Sequence, residues 1–172
     1  DKIEPTVDTI SATGITFGGT LKDSSISGKM IDPKTKEEVK GTFTWKDSTT
    51  KPAASGNFQA EWVFTPTNPE YAAVTGIVTI TVSTAPIIEA SVSEPSYTYD
   101  GNAHTPTPEV TLDGKTLVAG TDYTVSADPQ TDAGTYQFTI NGIGNYHGGD
   151  SKIYHWRITP RTVGNPTVTV ED

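Results

Sequence analysis

The chain has 172 residues, of which only 33% are hydrophobic, and a mean hydropathy of −0.40; that apolar content argues against one large core and for two thin ones. Its 12 Lys and Arg against 21 Asp and Glu leave a formal net charge of −9, a field that repels nucleic acid and anionic membrane surfaces. Cysteine is absent, which removes disulfides, thiolate metal sites and Cys nucleophiles, and no apolar run reaches membrane-spanning length.

Abundant threonine with 16 Gly and 12 Pro predicts an all-β chain, because Thr suits a pleated surface while Gly and Pro punctuate turns. In chain order, "ITFGGTL" sets Phe17 ahead of Gly18 and Gly19. "DPKTKEE" (32–38) reads as a turn, and "PKTKEEVK" has the length of about one helical turn, too short to stand alone. "GTFTW" alternates from Gly41 through Phe43 to Trp45. "FQAEWVFT" puts Phe58, Ala60, Trp62 and Phe64 on one face of a strand and Gln59, Glu61 and Thr65 on the other. "TNPEY" makes a corner at Asn68-Pro69 before Tyr71, and "GIVTITVS" aligns Val78, Ile80 and Val82. Further on come "YTYDGNA", an Asp-Gly hairpin at 113–114, "GTDYTVS", the turn "DPQTDAG" (128–134) and "TYQFTI" with Tyr136, Phe138 and Ile140 together. The corner "GIGNY" follows, and "KIYHWRI" then places Tyr154, Trp156 and Ile158 inward, with His155 and Arg157 outward.

These elements repeat. Phe17-Gly18-Gly19 answers to Tyr99-Asp100-Gly101; Gly41, Phe43 and Trp45 to Gly120, Tyr123 and Val125; Tyr71 to Tyr146. The order is kept and the spacing drifts only slightly, so one unit is written twice. "VSTAPI" (82–87) and "ITPRTV" (158–163) each end a strand at a proline, which suits a stiff linker. Domain one spans about 1–85 and domain two about 86–160. The segment 161–172, "RTVGNPTVTVED", resembles the openings of both units and reads as the start of a truncated third repeat or a linker. Residue 1 reads as a position inside a longer protein. The expected fold class is all-β: two tandem small β domains, β-grasp-like or Ig-like sandwich, in an extended arrangement.

The run from Tyr99-Asp100-Gly101 through Leu117 to Tyr123, then Asp132-Ala133-Gly134-Thr135-Tyr136 and Gly144-Asn145-Tyr146, resembles the YDG/MBG-type (mostly β-grasp) repeats of bacterial surface proteins. The first half resembles a more distant member, with Phe17-Gly18-Gly19 in place of Tyr-Asp-Gly. The resemblance implies a non-catalytic structural repeat module, a stalk or spacer in a secreted or wall-attached, adhesin-associated protein at the bacterial cell surface. It implies neighbouring repeats of the same chain as partners and no known catalytic residues.

Candidate sites are weighed against that background. Gly142-Ile143-Gly144-Asn145 has no following helix and no third glycine at nucleotide-fold spacing, so it fails as a phosphate loop. It reads as a corner in which Gly142, Gly144 and Asn145 tolerate positive φ. Trp45, Trp62 and Trp156 fall in phase with apolar neighbours and read as core. The alternative function is a module that binds host glycan or host protein through exposed aromatics and loops; its ligand-binding candidates are Tyr97, Tyr99 and Tyr146. His104, His147 and His155 lack metal-ligand spacing, and Asp128, Asp132 and Asp150 lack the spaced run of a calcium loop. No metal or cofactor is expected. No G-x-S-x-G elbow occurs and no enzyme activity is expected. An isopeptide crosslink of the kind found in cysteine-free surface modules needs a buried lysine, whereas Lys46, Lys115 and Lys152 read as exposed or near turns.

Overall fold

The computed structural model describes residues 1–148, 152–164 and 168–171. Fourteen strands follow in order among them. The first seven are β1 (Thr6–Ala12), β2 (Ile15–Thr16), β3 (Ile26–Ile31), β4 (Glu38–Val39), β5 (Gly41–Trp45), β6 (Gly56–Pro66) and β7 (Val74–Ser83). The second seven are β8 (Ser91–Val92), β9 (Ser96–Thr98), β10 (Val110–Leu112), β11 (Lys115–Thr116), β12 (Tyr123–Ser126), β13 (Gly134–Gly142) and β14 (Ile153–Thr159). The only helical turns described are three short 3₁₀ segments, Leu21–Asp23, Ile87–Glu89 and Gly144–Tyr146. The fold class is therefore all-β, as the composition predicts. The chain divides into two compact units, Asp1–Ala85 and Pro86–Asp172.

The two units share one topology. In the first, β1-β3-β4 form one sheet and β2-β7-β6-β5 the other; in the second, β8-β10-β11 and β9-β14-β13-β12 repeat that order strand for strand. All pairs are antiparallel except one per unit, β2 beside β7 and β9 beside β14. The ladders give the equivalences: Ile15 and Tyr97 face Val82 and Ile158, and Phe58 and Tyr136 face Ile80 and Trp156. Phe43 and Tyr123 then face Phe64 and Gly142.

Alternation sets which side is buried. In β6, Ala60, Trp62 and Phe64 are buried while Gln59, Glu61 and Thr65 are exposed. In β14, Tyr154, Trp156 and Ile158 are buried while His155 and Arg157 are exposed. In the first unit Met30 and Val39 of one sheet pack with Trp62 and Phe64 of the other, so the sheets face each other across the core as a sandwich. A second cluster gathers Ile15, Leu21, Ala60, Ile80 and Val82 at the parallel pair. Val110, Phe138, Trp156 and Ile158 are the most buried apolar side chains of the second unit.

Turn chemistry agrees in places and departs in others. Asp113 (φ 49°) and Gly114 (φ 76°) make the tight hairpin between β10 and β11 that Asp-Gly predicts. The segment Pro33–Thr35 is a turn and forms no helix. Asp32 takes its place as the organiser, its buried carboxylate accepting the N–H groups of Lys34 (2.7 Å) and Thr35 (3.0 Å). At the corner 142–145 only Gly144 has positive φ (58°). Gly142 is needed for a different reason: a Cβ there would run into the carbonyl oxygen of Tyr146 and stand 3.0 Å from Ile87 Cβ. Trp45 is half-buried, its indole N–H donating to the Ser24 carbonyl at 3.2 Å.

Candidate functional site

The Tyr-Asp-Gly stretch of the second unit gathers stacked rings and hydrogen-bonded polar groups. Tyr97 lies on β9, registered with Ile158 across the parallel pair, and its ring is edge-on to Trp156 (5.9 Å between centroids, 83°). Its ring stacks on His104 at 4.9 Å and 20°. Its hydroxyl donates to the Thr105 carbonyl (3.2 Å) and accepts the Thr107 N–H (3.1 Å). Asp100 accepts the Asn102 N–H and lies against His104 Nε2, each at 2.9 Å. The Asn102 backbone N–H, then the His104 side chain, hold the Asp100 carboxyl below the usual carboxylate range. His104 exchanges backbone hydrogen bonds with Gln130 (2.8 and 2.9 Å). The Tyr97 hydroxyl thus fastens segment 100–107 to the sheet, while Asp100 braces the segment from within.

The three tyrosines do not come together as a platform. Tyr97 is half-buried with its hydroxyl engaged; Tyr146 is buried, 4% exposed; Tyr99 alone shows its ring, 39% exposed. Trp62 and Trp156 are buried, and among the described residues neither indole N–H has a hydrogen-bond partner, so these rings serve by volume. The corresponding positions of the first unit carry Ile15 and Phe17. There the tie joins two loops instead: the Tyr71 hydroxyl, between β6 and β7, donates to the buried Asp32, between β3 and β4, at 2.9 Å. The Thr35 and Lys34 N–H groups and the Tyr71 hydroxyl keep the Asp32 carboxyl below its ordinary pKa.

The titratable candidates stand apart. His155 is half-exposed on the outer face of β14, with Nδ1 3.8 Å from Glu94. Together with Thr135 and Arg157 they line a groove of about 250 Å³. A carboxylate, an imidazole and a hydroxyl meet there, but in solvent, where acid–base and electrostatic effects are weakest. His147 and Asp128 lie elsewhere on the surface, Asp132 is exposed, and Asp150 lies outside the described residues. No group of three or more His, Cys, Asp or Glu among the described residues is arranged to hold a metal ion. Lys46 pairs with Glu61 at 2.8 Å in the open, and Lys115 and Lys152 are exposed. Among the described residues no helix is long and apolar enough to cross a membrane.

Sequence reasoning missed the hydroxyls that bind the parallel strands. Ser83 Oγ donates to the Ile15 carbonyl (3.2 Å), and Thr159 Oγ1 donates to the Tyr97 carbonyl (3.1 Å). The two occupy the same place in their units; the recurring signal, a hydroxyl residue ending each last strand, is present in "TVS" and "RIT". Among known families, the MBG domain matches residues 87–172. A search of the curated proteins finds no match.

Proposed function

The chain belongs to the MBG domain family, and on that premise we propose that it is a non-catalytic structural repeat module, a spacer in a secreted or wall-attached bacterial surface protein. The observation that carries the reading is the duplicated topology: two units, each with its own pair of sheets and its own apolar interior, in one chain. Repeats of this kind draw stability from their own cores plus contacts with neighbours, and they extend a chain without needing a ligand. The negative surface and the absence of cysteine suit a solvated module held by packing alone. The aromatic side chains support the same reading, since most of them face inward. Small-angle scattering tests it on the 172-residue chain. The spacer role expects an elongated particle, and a profile of one compact body contradicts it.

A binding role for host glycan or protein has one observation in its favour, the exposed ring of Tyr99 beside the Asp100-Gly101 turn. A glycan array answers it: hits lost in Tyr99→Ala support binding, and a blank array removes it.

A further inference from the structure

We infer that the parallel strand pair in each unit is a mechanical clamp, built to resist tension along the chain. The inference rests on the spacer reading and adds load-bearing to it.

The argument starts from direction. β2 lies near the start of the first unit and β7 at its end, and they run the same way; β9 and β14 repeat this in the second unit. When strands run parallel, the entering end of one and the leaving end of the other lie at opposite ends of the pair. The leading strands β1 and β8 belong to the other sheet; once a pull on the chain ends has drawn them off, it slides one strand of the parallel pair along the other. Sliding loads every cross-strand bond at once, whereas peeling loads them one after another. Forced rupture is set by the barrier to unfolding, and that barrier rises with the number of bonds that must break together.

Both units reinforce this pair with more than the ladder. In the first, Ile15 is registered with Val82 and Thr16 with Ser83, and the Phe17 N–H donates to the Ser83 carbonyl at 2.7 Å. Ser83 Oγ adds its bond to the Ile15 carbonyl. In the second, Ser96, Tyr97 and Thr98 are registered with Arg157, Ile158 and Thr159. The Arg157 N–H donates to the Pro95 carbonyl (3.0 Å), and the Tyr99 N–H to the Thr159 carbonyl (2.8 Å). Thr159 Oγ1 adds the bond to Tyr97. Water competes poorly for these bonds, because Ile15 (5% exposed), Val82 (2%) and Ile158 (2%) bury the inner side of each pair. Most outward positions differ between the units, yet the side-chain hydroxyl onto the partner strand's carbonyl recurs. With three registered pairs against two, the second unit holds the stronger clamp.

Single-molecule force spectroscopy tests this on the full chain. The lack of native cysteine lets introduced thiols choose the points of attachment. Tethered by its two ends, the chain is expected to rupture in two events, the second unit at the higher force. Tethered through Asn102→Cys and Arg161→Cys, which lie just past the same end of β9 and β14, the second unit is peeled and opens at a clearly lower force. Thr159→Val is expected to lower the end-to-end force of the second unit by more than it lowers the peeling force. Circular dichroism melting of each variant shows that it is folded before it is pulled. Equal forces in the two directions, or a Thr159→Val loss of the same size in both, overturn the clamp. The scattering experiment on the spacer is independent of either result.

Discussion

The two units have one strand order and two different interiors. Where the first has Ala60, Trp62, Phe64 and Ile80, the second has Phe138, Ile140, Gly142 and Trp156 at the corresponding positions. Bulk has moved between strands, and the topology has not followed it. In the first unit the large ring of Trp62 is accommodated by Gly76 opposite, where any Cβ would meet the indole. In the second, the space left by Gly142 is taken by the Tyr146 carbonyl and Ile87. Strand order is thus fixed by where alternation runs and where turns fall, while volume is balanced locally within each core.

The sharpest way to break the comparison is to empty one core. Trp62→Ala and Trp156→Ala are each expected to cost about 3–5 kcal/mol, and each in its own unit. Amide hydrogen exchange reads this directly: protection falls in the residues of the altered unit and holds in the other. Equal loss in both would mean that the interiors are not separate.

The next effect concerns volume balance. Gly76→Ala is expected to cost about 1–3 kcal/mol by overpacking against Trp62, and the cost should disappear in a Trp62→Ile background. Denaturant unfolding of the four proteins of that cycle gives the coupling. Gly142→Ala should show no such rescue with Ile87→Ala, because its nearest obstacle is the Tyr146 backbone.

A third prediction concerns acid pH, which touches the first unit through Asp32 and the second through Asp100. The folded-state pKa of Asp32 lies below its ordinary 3.8. Its contribution is therefore fully present above that value and is lost as pH falls through it towards the folded pKa. The first unit should lose stability over that window, and Tyr71→Phe should reduce the slope. Thermal melts followed by signals from each unit check both points.

The smallest effect is expected at Ile77 and Ile153, equivalent and exposed at 60% and 57%. Replacing either by Thr should change stability by less than about 0.5 kcal/mol.

Much of this was legible beforehand. Period-two alternation assigned the faces of β6, β7, β13 and β14 correctly because each buries one side against an interior. The pairings Phe43 with Tyr123 and Trp45 with Val125 hold in the ladders. Gly41 and Gly120 do not correspond, since Gly41 begins a strand and Gly120 sits in a turn at φ 84°. What periodicity could not show is which sheet a strand joins. Thr6–Ala12 and Ile15–Thr16 lie close in sequence yet belong to different sheets, with Gly14 between them pressed against the Thr81 carbonyl. The tyrosine candidates illustrate the same gap. Tyr97 and Tyr99 share strand phase, but the loop 100–107 folds back on one ring and leaves the other open. The reading of 161–172 as a further repeat falls partly outside the described residues.

The exchange of bulk between the two interiors bears on how such a chain folds. Neighbours of like topology on one polypeptide risk trading strands during synthesis and misassembling. A copy of β6 set into the second sandwich would carry Phe64 to where Gly142 sits, against the Tyr146 carbonyl, and would put Ala60 where Phe138 fills the core. One end would clash and the other would leave a hole, so β6 does not fit the place that β13 fills.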